Sequence, residues 1–296
     1  MNNEEILEKI CVQGLKVRHL TSLMQPMQKP ARLINTLCFH GNIPMILGNI
    51  ENFKGIGYVC FIDVLGFSND ILKNWERKSS NPLEKILSIK RKMPGFNQID
   101  KADDSSTQRT YACRVNTISD SVTICFGFND DIIIGDLALG LEVILNNLLY
   151  IWTTFIHNGY TIRGAIDYGN IYWDDNELIG PAFINAYRLE SEVAKTSRVL
   201  VSSSLNKVLK DLIGVKRSTM IDHLIRNFRK DIDGYIIVDP KILYRSTKEK
   251  KSLIDCLKKM RNAVPIGIVR EKYSPLISML GDIAKEDLKP EDIGNY

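Results

Sequence analysis

The run Gly57-Tyr-Val-Cys-Phe-Ile-Asp-Val-Leu-Gly-Phe67 constrains this chain more than any other segment. It is apolar at nearly every position rather than at alternate ones, the pattern of a strand buried on both faces. Asp63 interrupts it. A carboxylate inside a buried apolar strand is costly unless a charge pairs with it. The partner is either a buried arginine, with Arg163 as the candidate, or a bound metal ion.

The rest of the chain supplies what a sheet around that strand needs. Ser68 or Asn69 offers an N-cap for a helix that begins with Ile71, Leu72 and Trp75. A helix is expected over 82–92, followed by a loop through Asp103 and Ser106. Residues 111–117 and 121–128 read as strands joined by a hairpin turn at Ile118-Ser119-Asp120. Leu137, Leu141, Ile144, Leu148, Trp152 and Phe155 recur every three or four residues, the apolar face of a helix. Residues 160–168 and 170–173 read as a strand pair turning at Gly169. Gly180-Pro181 opens a helix that runs to about Lys195, with proline suited to its first turn. A strand over 198–202, a helix over 204–213 and a strand over 234–238 follow. Residues 1–50 read as one or two helices, and the tail from Lys241 as mostly helical and charged. The fold class is α+β: a ferredoxin-like layout, mainly antiparallel, with helices on one face.

Composition narrows the function classes. A chain of 296 residues with 44% hydrophobic and 25% charged residues is globular, one large domain or two small ones. The net charge of +4 is too small to argue for nucleic acid. The stretch Lys241 to Arg261 holds eight basic residues against Glu249 and Asp255. It reads as a solvated helix face, with a polyanion surface as the alternative. Six cysteines without a CxxC pair and four histidines without HxH or HExxH argue against zinc. The apolar tract from Ile132 to Ile156 is broken by Asp136, Glu142, Asn146 and Asn147, which reads as too polar to span a bilayer. No apolar leader follows Met1. The expectation is a soluble, cytoplasmic protein with no membrane and no nucleic-acid partner.

Asp120 is the second carboxylate to explain, at a hairpin tip that the topology can bring beside the end of the first strand. Two such carboxylates with no lysine or histidine nearby suit a hard divalent cation, Mg²⁺ or Mn²⁺. The alternative keeps Asp63 with Arg163 and makes Asp120 a turn residue. Gly66 allows close backbone approach, and a helix starting near Ser68 would aim its amides at a triphosphate. Arg188 has Glu192 at i,i+4, so spacing alone favours a surface pair. Arg163 and Arg198 suit either buried ion pairs or phosphate contacts, and Trp173 suits packing.

Three blocks resemble a class III nucleotidyl cyclase domain. Phe61-Ile-Asp-Val-Leu-Gly-Phe-Ser68 is similar to the first metal-aspartate strand and its phosphate turn. Asn116-Thr-Ile-Ser-Asp-Ser121 resembles the hairpin of the second metal aspartate. Arg163-Gly-Ala-Ile-Asp-Tyr-Gly169, Gly180-Pro-Ala-Phe-Ile-Asn-Ala-Tyr-Arg-Leu-Glu190 and Ser197-Arg-Val-Leu-Val-Ser202 resemble the later core. Asp233-Gly-Tyr-Ile-Ile-Val-Asp239 is a further family-like strand. The variants Leu-Gly-Phe, Ser-Asp-Ser and Gly-Pro-Ala look most like Pycsar pyrimidine cyclases of bacterial antiphage defence.

The resemblance implies a helical extension over 1–50, a cyclase domain over 51–240 and a basic helical tail over 241–296. It implies that UTP, or less favourably CTP, is converted to a 3′,5′-cyclic nucleotide and pyrophosphate, a second messenger read by a separate effector. It also implies a head-to-tail homodimer with composite active sites. Two ions, Mn²⁺ or Mg²⁺, would be held by Asp63, Asp120 and the Val64 carbonyl. Amides of Leu65, Gly66 and Phe67 would hold phosphates, together with Arg198. Arg188 would stabilise the charge on the transferring phosphorus, with Asn185 beside it.

Asn116 takes the position of one base-reading side chain, where purine cyclases carry Lys or Glu. Its amide both donates and accepts, which suits either pyrimidine. Arg114 on the same strand face favours uracil, and Glu177 at the second base-reading position favours cytosine. Purine cyclases carry Asn four residues before the transition-state Arg; here Ile184 stands there and Asn185 is one residue on. A catalytically silent, nucleotide- or partner-binding domain of the same fold is the competing reading. An adenylyl or guanylyl cyclase is the third.

Overall fold

The computed structural model describes residues 47–48, 52–77, 81–92, 111–129, 131–214, 219–264 and 267–281. The helices expected within 1–50 and the loop through Asp103 lie outside the described residues.

Strand β2 (Phe53–Leu65) is the axis of the molecule, and Tyr58 to Ile62 are buried on both sides of it. It runs antiparallel to β4 (Ser121–Phe128) on one edge and to β5 (Thr161–Trp173) on the other. Beyond β4 lies β3 (Tyr111–Ile118), with the two-residue β1 (Leu47–Gly48) parallel to it. Beyond β5 comes β7 (Val199–Val201), parallel to it, then β9 (Ile236–Val238) and β8 (Phe228–Lys230). The short β6 (Leu178–Ile179) pairs with the far end of β5. The result is an α+β fold on a mixed, mostly antiparallel sheet of nine strands.

The apolar run behaves as read, but its consequence for the layers differs from the one-faced arrangement expected. Side chains alternate along a strand, so Tyr58 and Phe61 lie on opposite faces. Tyr58 faces helix α3 (Ile134–His157), where its hydroxyl donates to the Leu137 carbonyl at 2.9 Å. Phe61 faces helix α4 (Pro181–Glu192), where its ring meets Phe183 and Tyr187 edge-on. A strand apolar on both sides exposes two hydrophobic surfaces, and each needs its own helix.

The remaining helices are α1 (Phe67–Asn74), α2 (Pro82–Lys92), α5 (Ser203–Gly214), α6 (Thr219–Ile225), α7 (Thr247–Ala263), α8 (Ile268–Glu271) and α9 (Ser274–Gly281). Helix α7 buries Leu253, Leu257 and Met260 and leaves Lys248, Lys251, Lys258 and Lys259 exposed, so the basic stretch is the outer face of a packed helix. By length and composition α3 suffices to cross a membrane, against the expectation drawn from its polar residues. In the fold more than half of it is covered, and its buried Asp136 accepts from the Tyr111 hydroxyl and the Ile133 amide.

Two local expectations are corrected. The two strands expected over 160–168 and 170–173 are one, Thr161–Trp173: β5 matches β2 residue for residue from Leu65↔Thr161 to Phe53↔Trp173. Gly169 does not turn the chain; it sits opposite Gly57 where α4 comes close, and a Cβ there would lie 3.7 Å from that of Ala182. The first helix is not capped at Ser68 or Asn69 either. Gly66, in the left-handed region at φ 95°, is the N-cap, and the helix starts at once with Phe67. Glycine adopts that conformation without steric cost.

Candidate functional site

Strand register assembles the site at one end of β2. Asp63 lies directly opposite Ser121 on β4 and Arg163 on β5. Ser121 follows Asp120 in the hairpin turn, so both carboxylates reach the same end of the sheet. The Val64 amide donates to the Asp120 carbonyl at 3.0 Å. In an antiparallel ladder the N–H and C=O of one residue point to the same neighbour, so the Val64 carbonyl also faces this turn. Ser68 Oγ donates to Asp120 Oδ2 at 3.1 Å, which ties the first turn of α1 to the hairpin.

The hairpin itself is held from outside. Ser119 has φ 50°, unusual for a residue with a side chain. Lys90 of α2 donates to its carbonyl at 2.5 Å and lies close enough to Asp120 to feel its charge. The premise that no lysine stands near the two aspartates is thus corrected: Lys90 arrives from a helix that strand spacing does not place.

Asp63 is paired with Arg163, Nε to Oδ2 at 2.9 Å. The same nitrogen lies 2.7 Å from Glu190 Oε1 on α4. Glu190 is buried, and burial pushes its carboxyl up to about 7. Arg163 opposes that rise, while the charge of Asp63 adds to it. Asp63 and Arg163 each retain about a fifth of their side-chain exposure, so this corner opens to solvent. Among the described residues no three His, Cys, Asp or Glu side chains are grouped to hold a metal ion. The oxygen donors that could hold a cation at this corner are the carboxylates of Asp63 and Asp120 and the Val64 carbonyl.

The turn of Leu65, Gly66 and Phe67 lies beside Asp63. Leu65 and Phe67 are buried, and Phe67 stacks edge-on with Tyr160. No side chain caps α1, so its first amides stay available to an anion.

Of the base-reading candidates, Asn116 and Arg114 share the sheet face of Asp63. Asn116 pairs with Thr123, and Thr123 with Phe61, one residue pair from Asp63. Arg114 is two residues along β3 on the same face, but its guanidinium donates to the Asp175 carbonyl at 3.1 Å. Glu177 is exposed in that same 174–177 turn, where its amide donates to Asp174. Arg114 and Glu177 therefore belong to one wall, and Asn116 lies nearer the carboxylates.

On α4 the sequence candidates separate. Arg188 is exposed and makes no ion pair among the described residues, so the surface pair with Glu192 is not formed. Arg188 and Glu190 are two residues, or about 200°, apart around the helix. Arg188 thus points away from the Asp63 site of its own chain. Asn185 is directed to Asp167, a buried carboxyl whose pKa is raised by burial and lowered by Ser202, Tyr168, Asn185 and Ser204.

Arg198 is not brought to the site as a phosphate contact. Its guanidinium lies 2.7 Å from both Asp231 and Asp233 and donates to the Val193 carbonyl. Two carboxylates already neutralise it, and the side chain is almost fully buried. Trp173 is buried against Phe53, as packing.

Glu190 and Lys90 were not singled out from the sequence. For Glu190 a signal existed: Ala182, Ala186 and Glu190 recur every fourth residue, which marks one inward stripe. For Lys90 there was none. No protein-family model matches the chain, and a search of curated proteins finds no match either.

Proposed function

We propose that the chain is a class III nucleotidyl cyclase that converts UTP, in preference to CTP, to the 3′,5′-cyclic nucleotide and pyrophosphate. The observation that carries the reading is the register that sets Asp63 opposite Ser121, and so beside Asp120. The order β2, helices, β3, β4, α3, β5, with spatial order β3-β4-β2-β5, also supports it, because that is the split βαβ arrangement of a ferredoxin-like core.

An all-oxygen donor set of two carboxylates and a carbonyl fits Mg²⁺ or Mn²⁺. When bound, two such ions would acidify the attacking hydroxyl and stabilise the leaving pyrophosphate. The chain's own residues do the rest. Leu65 to Phe67 present amides to the phosphates, with Ser68 holding Asp120 in place. Asn116 hydrogen bonds to the Watson–Crick edge of the base. Exposed Arg188 serves the site of a second copy in a head-to-tail dimer, since it faces away from its own. The product acts as a second messenger of antiphage defence, read by a separate effector.

One observation favours a silent nucleotide-binding domain instead: Arg163 already neutralises Asp63. Incubation with each nucleoside triphosphate and Mn²⁺ separates the two readings, because only a cyclase yields a cyclic product.

A further inference from the structure

We propose that the Tyr273 hydroxyl is a phosphate contact at the Gly66 turn, supplied by the C-terminal helices from outside the sheet core. The inference rests on the reading of that turn as a triphosphate site and adds a residue to it.

Two independent observations meet there. The first is the N-terminus of α1, an eight-residue helix that starts at a left-handed glycine with no side-chain cap. The second is Tyr273, whose side chain is only 4% exposed. Its hydroxyl lies 3.2 Å from the position that a Cβ on Gly66 would occupy. Among the described residues that hydroxyl has no hydrogen-bond partner. A buried ring that ends in an unpaired hydroxyl is unusual, since buried tyrosines ordinarily find an acceptor.

The backbone around Tyr273 is fixed in a way that suits a positioned donor. Its amide donates to the Arg270 carbonyl, and its own carbonyl accepts from Ile277. Next to it, the Lys272 carbonyl accepts from the Ser197 amide at 3.0 Å, which anchors the segment to the start of β7. Burial raises the phenol's pKa, so it stays a protonated donor across the physiological range. A phosphate oxygen at the α1 amides would give the hydroxyl the acceptor it lacks.

The test is calorimetric titration of the full chain with inorganic pyrophosphate in MgCl₂, wild type against Tyr273→Phe. The variant keeps the ring and removes only the hydroxyl. The inference expects about a tenfold loss of pyrophosphate affinity, the scale of one hydrogen bond to a charged group, with an unchanged melting temperature in the absence of ligand. Equal affinities overturn it, and so does a wild type that does not bind pyrophosphate. Unchanged affinity with a lowered melting temperature makes the hydroxyl a packing element and overturns it as well. The probe is pyrophosphate, so failure to cyclise any nucleotide would sink the cyclase reading and leave this result standing.

Discussion

Asp63 and Glu190 converge on one nitrogen: Arg163 Nε lies 2.9 Å from Asp63 Oδ2 and 2.7 Å from Glu190 Oε1. That nitrogen carries a single hydrogen, and it is directed at Asp63. Glu190 Oε1 is left close to the charge but without a hydrogen bond. The strand carboxylate is satisfied at the expense of the helix carboxylate, which is why burial raises Glu190.

Stability should therefore depend on pH through Glu190. Its folded pKa of about 7 stands above the ordinary value of 4.5. Between those values the folded state holds the proton that the unfolded state has lost, so stability falls as pH rises through that window. Below 4.5 the penalty is absent, and above 7 it is complete, roughly 3 kcal/mol. Glu190→Gln stays neutral throughout and should flatten the slope. Urea melts of both proteins from pH 5 to 8 check this, and parallel curves would count against it.

Arg198→Met should cost about 3–5 kcal/mol, because it strands the buried Asp231 carboxylate. The protein that remains folded should bind pyrophosphate as the wild type does. Chemical denaturation alongside titration separates these effects. A variant of normal stability with lost phosphate affinity would restore Arg198 to the site.

Gly57→Ala should destabilise by about 1–3 kcal/mol or prevent folding. The added Cβ would lie 2.3 Å from the Phe126 carbonyl oxygen, a backbone atom of the paired strand that has no room to yield. A melting temperature within a degree of wild type would show that the β2–β4 spacing is wrong.

The central strand, the hairpin at Asp120 and α2 through α4 were legible because each carries a local signature, such as an unbroken apolar run or a Gly-Pro helix start. The two-faced layering was legible in principle, from the same run, but an α+β layout with one covered face was the simpler expectation. The extent of β5 was hidden by Gly169, which looks like a turn in sequence and is a point of close approach in space. Arg163 as the partner of Asp63 was one of two open readings, since pairing across strands depends on register. Lys90 beside Asp120 and Tyr273 beside Gly66 join segments far apart in the chain, and no local pattern encodes such meetings.

Asp120→Asn should leave stability within about 1 kcal/mol of wild type, because Asp120 is a partly exposed turn residue whose carboxylate, among the described residues, accepts a hydrogen bond from Ser68 alone. Under the cyclase reading it should nonetheless abolish turnover, as should Asp63→Asn. Full turnover in either variant contradicts the assignment of both aspartates.

Incubation of the purified chain with each of the four labelled nucleoside triphosphates and Mn²⁺, followed by product analysis, decides whether Asp63 and Asp120 serve a pyrimidine cyclase. Cyclic UMP should be the main product and cyclic CMP the lesser one, and Asp63→Asn should yield neither. Cyclic AMP or cyclic GMP as the dominant product would contradict the pyrimidine reading. No cyclic nucleotide from any of the four would contradict the cyclase itself.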